Sequence, residues 1–269
     1  MPSASNSSSV WPICRLFGLD IQATTLHDAT AHLTAVAMAD VRPARVVVTP
    51  NVDHLVRLDA QPAFKALYTQ SDYIFADGMP VVWASRRLSD RPLPERVTGA
   101  DLFVALARSA AAAGLSILVI GGLPGQEAEL QQAFARVYPG LRAEVFAPSM
   151  QFDPGGAEGE EALRRVALLR PAMVFVCLGM PKQERWALSH RDRIAAPLVL
   201  CVGAAMEFAL GFKHRAPLWM QRSGLEWFWR LASEPRRLWR RYLVQSTRFA
   251  RLLWRERAAR RAANHIHQP

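Results

Sequence analysis

The sequence predicts an α/β fold: a mainly parallel sheet covered by helices on both faces, with a basic helical appendage at its C-terminal end. Three observations carry this expectation. Short apolar runs without alternation, such as 116–120 (SILVI), 173–178 (MVFVCL) and 198–202 (LVLCV), read as strands buried on both sides. Helix-like stretches separate them, the pattern of parallel strands joined by crossovers. The charge is also divided unevenly. From Lys213 onward fourteen Lys and Arg face three acids, a balance of +11, while the first 212 residues carry nineteen basic and twenty acidic groups, a balance of −1.

The elements follow in chain order. Residues 1–12 (MPSASNSSSVWP) are polar, lack the basic and apolar regions of a signal peptide, and read as a loose tail. Residues 16–21 (LFGLDI) fit a small hairpin. A strand at 45–49 precedes a helix from about 52 to 60; a strand at 73–76 precedes a helix running through Trp83, and a further helix covers 101–113. The strand at 116–120 runs into Gly121-Gly122-Leu123-Pro124-Gly125 and a helix at 126–137. Residues 142–146 form the next strand, and 151–161, rich in glycine and acids, read as a surface loop. The strands at 173–178 and 198–202 each have a helix before or after them, which completes a core over 13–212. In the appendage, 213–269, Pro235 divides two helix-like pieces, and Leu238, Tyr242, Gln245, Phe249 and Leu252/Leu253 recur at helical spacing between arginines.

Composition narrows the class. With 51% of 269 residues apolar, a large core is available and disorder is excluded for most of the chain. No run of eighteen apolar residues spans a membrane. Cys14, Cys177 and Cys201 are an odd, widely spaced set without metal-ligand spacing, and the last two lie in apolar runs, where cysteine acts as a small hydrophobe of a reducing compartment. The appendage holds five of the eight tryptophans, and a basic helix bearing aromatics suits an anionic membrane surface. Nucleic acid and plain packing on the core are the competing uses of such a segment.

The polar residues gather at strand ends. Thr49-Pro50-Asn51-Val52-Asp53-His54 follows the first long strand, Asp77-Gly78 the second, Gly121–Gly125 the third, Gly179-Met180-Pro181-Lys182-Gln183-Glu184 the 173–178 strand, and Gly203-Ala204-Ala205-Met206-Glu207 the last. Ligands of open α/β sheets bind at this edge, so a nucleotide-type cleft is expected there. The glycine loop at 121–125 is of a kind that brings helix amides to a diphosphate. Asp77 either caps the following helix or is the reacting carboxylate of the pocket. Asp-x-Asp pairs, His/Cys clusters, a P-loop lysine and a Gly-x-Ser-x-Gly elbow are all missing, so a leaving diphosphate would be met by arginines and helix N-termini. An acid at a strand end among arginines suits base-assisted transfer from an activated anionic donor.

Several long segments carry a resemblance. ThrProAsnValAspHis, AlaAspGlyMetProValValTrpAla, ProGluArgValThrGlyAlaAspLeu, GlyMetProLysGlnGluArgTrp and the run from ArgAlaProLeuTrpMet to GluProArgArgLeuTrpArgArgTyr resemble, in order, the WecG/TagA/CpsF glycosyltransferases. The resemblance implies a Rossmann-like core, no metal or other cofactor, and inverting transfer of an N-acetylmannosamine-type sugar, or glucose or uronic acid, from a UDP-sugar donor to an undecaprenyl-diphosphate-linked acceptor. It implies Asp77 as general base, Thr49 and Asn51 beside it, Gln183 facing the donor, and Arg96 as a substrate-binding cation. Gly121, Gly122 and Glu207 complete the expected pocket. Arg230, Arg237 and Arg240 match arginines that close over the site and meet diphosphates. Glu207 departs from the family's usual aspartate, which bears on the donor sugar. The implied location is the cytoplasmic face of the bacterial inner membrane, peripheral, with nucleic acid set aside as partner and a homo-oligomer left open. An NAD(P)-binding oxidoreductase, a nucleic-acid-binding protein and a silent scaffold are the rival classes.

Overall fold

The computed structural model describes residues 10–217, 219–220, 225–226, 228–229 and 235–266, the last stretch as helix backbone alone over 235–245 and 263–266. Two short strands, β1 (Ile13–Leu16) and β2 (Leu19–Gln22), form the expected antiparallel hairpin. Its turn places Phe17 and Gly18 at φ +55° and +71°. Then follow α1 (Leu26–Ala39), β3 (Arg45–Val48), α2 (Val52–Ala60), α3 (Pro62–Tyr68), β4 (Tyr73–Ile74), α4 (Met79–Leu88) and α5 (Gly99–Ala112). The second half comprises β5 (Ser116–Ile120), α6 (Glu127–Val137), β6 (Arg142–Phe146), α7 (Ala157–Leu169), β7 (Met173–Val176), α8 (Lys182–Ser189), β8 (Leu198–Cys201) and α9 (Ala205–Ala209). A long helix, α10 (Pro235–Ile266), closes the chain.

Six strands make one parallel sheet in the order β4-β3-β8-β7-β5-β6. Its central strands are buried on every residue, as continuous apolar runs require. Alternate side chains feed two cores. Val46, Val48, Leu118, Ile120, Val174, Val176, Val199 and Cys201 face α2, α3, α4, α7 and α8. Val47, Ile117, Val119, Met173, Phe175, Leu198 and Leu200 face α1, α5, α6 and α9.

Three expectations change. Residues 157–161 are the first turn and a half of α7, so the loop expected at 151–161 ends at Gly156. Trp11, at the far end of the expected tail, packs edge-on against His32, Tyr73 and Phe75, while residues 1–9 lie outside the described residues. The later part of α10 belongs to the core: Phe249 and Leu252 are buried, and Phe249 meets Phe17 at 5.6 Å between ring centroids. Trp254, by contrast, is 72% exposed, so packing here uses Phe249 and Leu252 and leaves that tryptophan outside.

Candidate active site

Register decides where the polar loops meet. Ile74, Val48, Cys201, Val176, Ile120 and Phe146 are direct neighbours across the sheet, and each closes its strand. Every loop that follows a strand therefore starts on the same line. From β5 the chain leaves to α6 on one face; from adjacent β7 it leaves to α8 on the other. Between them a crevice opens, the usual ligand position in such sheets. Gly121, at φ +154°, lines it: an added Cβ would sit 2.7 Å from the Cys177 Cβ. Gly122 is equally constrained, since its Cβ would lie 2.6 Å from Leu130 Cδ1. The first turn of α6 already carries Glu127 and Glu129, so its positive end is met from within the chain.

Asp77 stands three residues past β4, on backbone held from both sides. Its N–H donates to the Pro50 carbonyl at 3.0 Å, and Val97 N–H donates to the Ala76 carbonyl at 2.9 Å. Gly78, at φ +125°, turns the chain into α4 and is itself the residue at the N-cap, with no side-chain cap bond. Asp77 is therefore the residue before the N-cap, and its side chain is half-buried. Arg215 is within electrostatic reach. Burial pushes its guanidinium pKa down, but the bond to Asp101 and the charges of Asp101, Glu226 and Asp77 outweigh that and leave it raised. Sequence reasoning did not select Arg215, although it opens the ArgAlaProLeuTrpMet segment.

The other expected residues divide by what they touch. Thr49 is buried against the start of α5: a Cβ on Gly99 would lie 3.0 Å from its Oγ1 and 3.2 Å from Val202 Cβ, so three loops converge there. Asn51 caps α2, its Oδ1 accepting the His54 N–H at 3.1 Å. Arg96 donates to Glu226 at 2.6 Å, and Glu226 lies 3.7 Å from Arg215, which also pairs with Asp101. This network fastens the segment after α9 to the core beside Asp77. Gln183 is buried; its Oε1 accepts Gly179 N–H at 3.2 Å and Gly203 N–H at 2.9 Å, which ties the loops after β7 and β8. Its Nε2 donates to Glu184 Oε1 at 2.8 Å. Burial raises the Glu184 carboxyl pKa to about 7 against the hydrogen bond from Gln183. Glu207 pairs with Lys213 at 2.5 Å. Arg230 lies outside the described residues, and Arg237 and Arg240 fall in the part of α10 whose side chains are outside them.

Cys177 and Cys201 carry thiols pushed up by burial, Cys177 to about 12, as expected of small hydrophobes in apolar strands. Among the described residues, no group of three or more His, Cys, Asp or Glu side chains is gathered as a metal set, and no helix is long and apolar enough to cross a membrane.

A parallel sheet with in-register ends, a crevice between oppositely wound strands and a carboxylate near a half-buried arginine defines a Rossmann-like α/β enzyme. The chain belongs to the WecG/TagA/CpsF family of glycosyl transferases, whose sequence model matches residues 14–263, and it is a glycosyltransferase. It is similar to the N-acetylglucosaminyldiphosphoundecaprenol N-acetyl-beta-D-mannosaminyltransferases of Staphylococcus aureus strains MW2 and COL. Each is 27% identical over 225 residues, covering 84% of this chain and 86% of the relative.

Proposed function

We propose that the protein transfers a hexosyl residue from a UDP-sugar to a saccharide carried on undecaprenyl diphosphate, with inversion at the anomeric carbon, in the building of a cell-surface polysaccharide. One observation carries the reading: Asp77, on backbone fixed just past β4 by bonds to Pro50 and at Ala76, lies beside loops that converge on one edge of the sheet. The relatives' names describe transfer of N-acetylmannosamine to N-acetylglucosaminyl-diphosphoundecaprenol, which favours the same acceptor chemistry here.

The acceptor hydroxyl hydrogen-bonds to the Asp77 carboxylate. As its oxygen attacks the anomeric carbon, Asp77 takes the proton and the bond to UDP breaks on the opposite side. Negative charge then grows on the leaving diphosphate, and guanidinium groups at the rim stabilise it. Arg215 holds its charge beside Asp77 and is available for this once a substrate anion competes with Asp101 and Glu226. No step needs a metal ion, so EDTA leaves turnover unchanged. Exposed Trp219 and Phe228, together with the basic appendage, support docking of this edge on an anionic membrane.

The test is a UDP-release assay with a panel of UDP-sugars and a lipid-diphosphate-linked N-acetylglucosamine acceptor. Acceptor-dependent release with one donor, lost in Asp77→Asn, meets the expectation. Release that persists in that variant removes Asp77 from the mechanism, and silence with every donor removes the reading.

A further inference from the structure

Gln183 is held by three hydrogen bonds that leave its amide no freedom to turn over. Two backbone N–H groups, of Gly179 and Gly203, fix which end is oxygen. The nitrogen end then requires an acceptor inside the protein, because Gln183 is 1% exposed. Glu184 Oε1 is that acceptor, at 2.8 Å. The carboxyl is itself 1% exposed, and its Oε2 has no hydrogen-bond partner among the described residues. Beneath the same loops lies Tyr68 of α3, fully buried, with its hydroxyl also unpartnered among the described residues. After burial itself, Glu184 is the group that most raises the Tyr68 hydroxyl pKa, followed by Cys201 and Asp77. A cluster of polar groups therefore runs under the strand ends from Asp77 toward Gln183. A leucine would fill the volume of Glu184 without burying an ionisable group, so stability alone does not explain the carboxyl.

We propose that Glu184 is a positioning residue for the transfer reaction. Through Gln183 it holds the loops after β7 and β8 at the spacing in which they wall the donor pocket. The proposal rests on the glycosyl-transfer reading of this edge of the sheet. Its physical basis is the cost of a buried donor without a partner. Remove the acceptor at 184, and the Gln183 NH₂ group is stranded. The amide then gains by swinging toward solvent, which releases the Gly179 and Gly203 amides. Both glycines sit at positive φ, +75° and +57°, a region that glycine enters without steric cost and leaves as readily.

The experiment compares wild type, Glu184→Leu and Glu184→Gln by amide hydrogen exchange and by calorimetric titration with UDP. Wild type protects the Gly179 and Gly203 amides. In Glu184→Leu those two amides exchange at least about tenfold faster, and UDP affinity falls by about tenfold, the scale of one stranded buried donor. Glu184→Gln keeps an acceptor oxygen in a neutral side chain and stays within about threefold of wild type in both readouts. Unprotected glycine amides in wild type overturn the proposal, whether or not the leucine variant folds. So does a folded leucine variant with unchanged exchange, or a glutamine variant as impaired as leucine, which would assign the role to charge. Wild type that fails to bind UDP while the exchange contrast holds overturns the donor reading and leaves the loop-holding role standing.

Discussion

Gly121 and Cys177 show how little room the crevice has for change. With φ at +154° and a Cβ contact of 2.7 Å in prospect, Gly121→Ala meets both backbone strain and a clash. The expected loss is about 2 kcal/mol or more, read as a lower urea midpoint with an unchanged slope. Asp77→Asn keeps size and backbone bonds, so folding and UDP affinity stay as in wild type while turnover drops by about 10²–10⁴. Glu184 makes a third prediction, with a definite sign. Its carboxyl titrates near 7 in the fold, because burial outweighs the hydrogen bond from Gln183 and the charge of Arg57, and near 4.5 when unfolded. Between those values the native state binds more protons, so its stabilising contribution is full below about 4.5 and is lost as pH rises through about 7. Wild type is expected to lose about 3 kcal/mol more than Glu184→Gln between pH 4.5 and pH 8. Equal slopes for the two proteins in urea titrations at those pH values would contradict the buried acid.

At the scale of elements, α10 shows core packing within a segment expected to meet a membrane. Its sequence has a stripe of apolar residues and a surplus of arginines, which fits a membrane surface as well as a protein face. Phe249 and Leu252 settle on the hairpin, α2 and α4, while Arg255 pairs with Asp59 at 2.9 Å on the rim. Phe249→Ala removes a ring from the core and is expected to cost about 3 kcal/mol, with UDP binding unchanged because the contact lies away from the strand ends. A thermal melt and a UDP titration on the same sample check both halves. The start of α7 teaches the converse. Gly159 sits inside the helix where a Cβ would come within 2.2 Å of the Pro154 carbonyl oxygen, and its own carbonyl accepts the Trp186 indole N–H at 3.0 Å. A glycine chosen for close approach looks, in sequence, the same as one chosen for a loop.

The whole molecule is a near-neutral core joined to a strongly basic end. Arg248, Arg251 and Arg257 are exposed on α10, on the part already anchored by Phe249. Replacing all three by glutamine is expected to weaken binding to anionic vesicles by on the order of 10²-fold, at roughly 1 kcal/mol per charge. Raising salt should reproduce much of that loss in the wild type, since such attraction is screened beyond about 10 Å at 0.1 M. Vesicle binding that ignores both changes would place the membrane contact on the apolar side chains alone.

What the sequence by itself determined is everything repeated along the chain: the strands as apolar runs, their parallel order through intervening helices, and the polar residues at their ends. Asp77 and Gln183 stand out in the sequence because each follows a strand in a turn motif of unusual composition. The family resemblance reached the same residues through long matching segments. Tertiary structure decided the partners. That Gln183 reaches Gly203, that Arg96 meets Glu226, and that Arg215 stands near Asp77 all depend on residues between 20 and 138 positions apart. Local spacing carries no record of such contacts. They arise when the register of the sheet brings six strand ends onto one line.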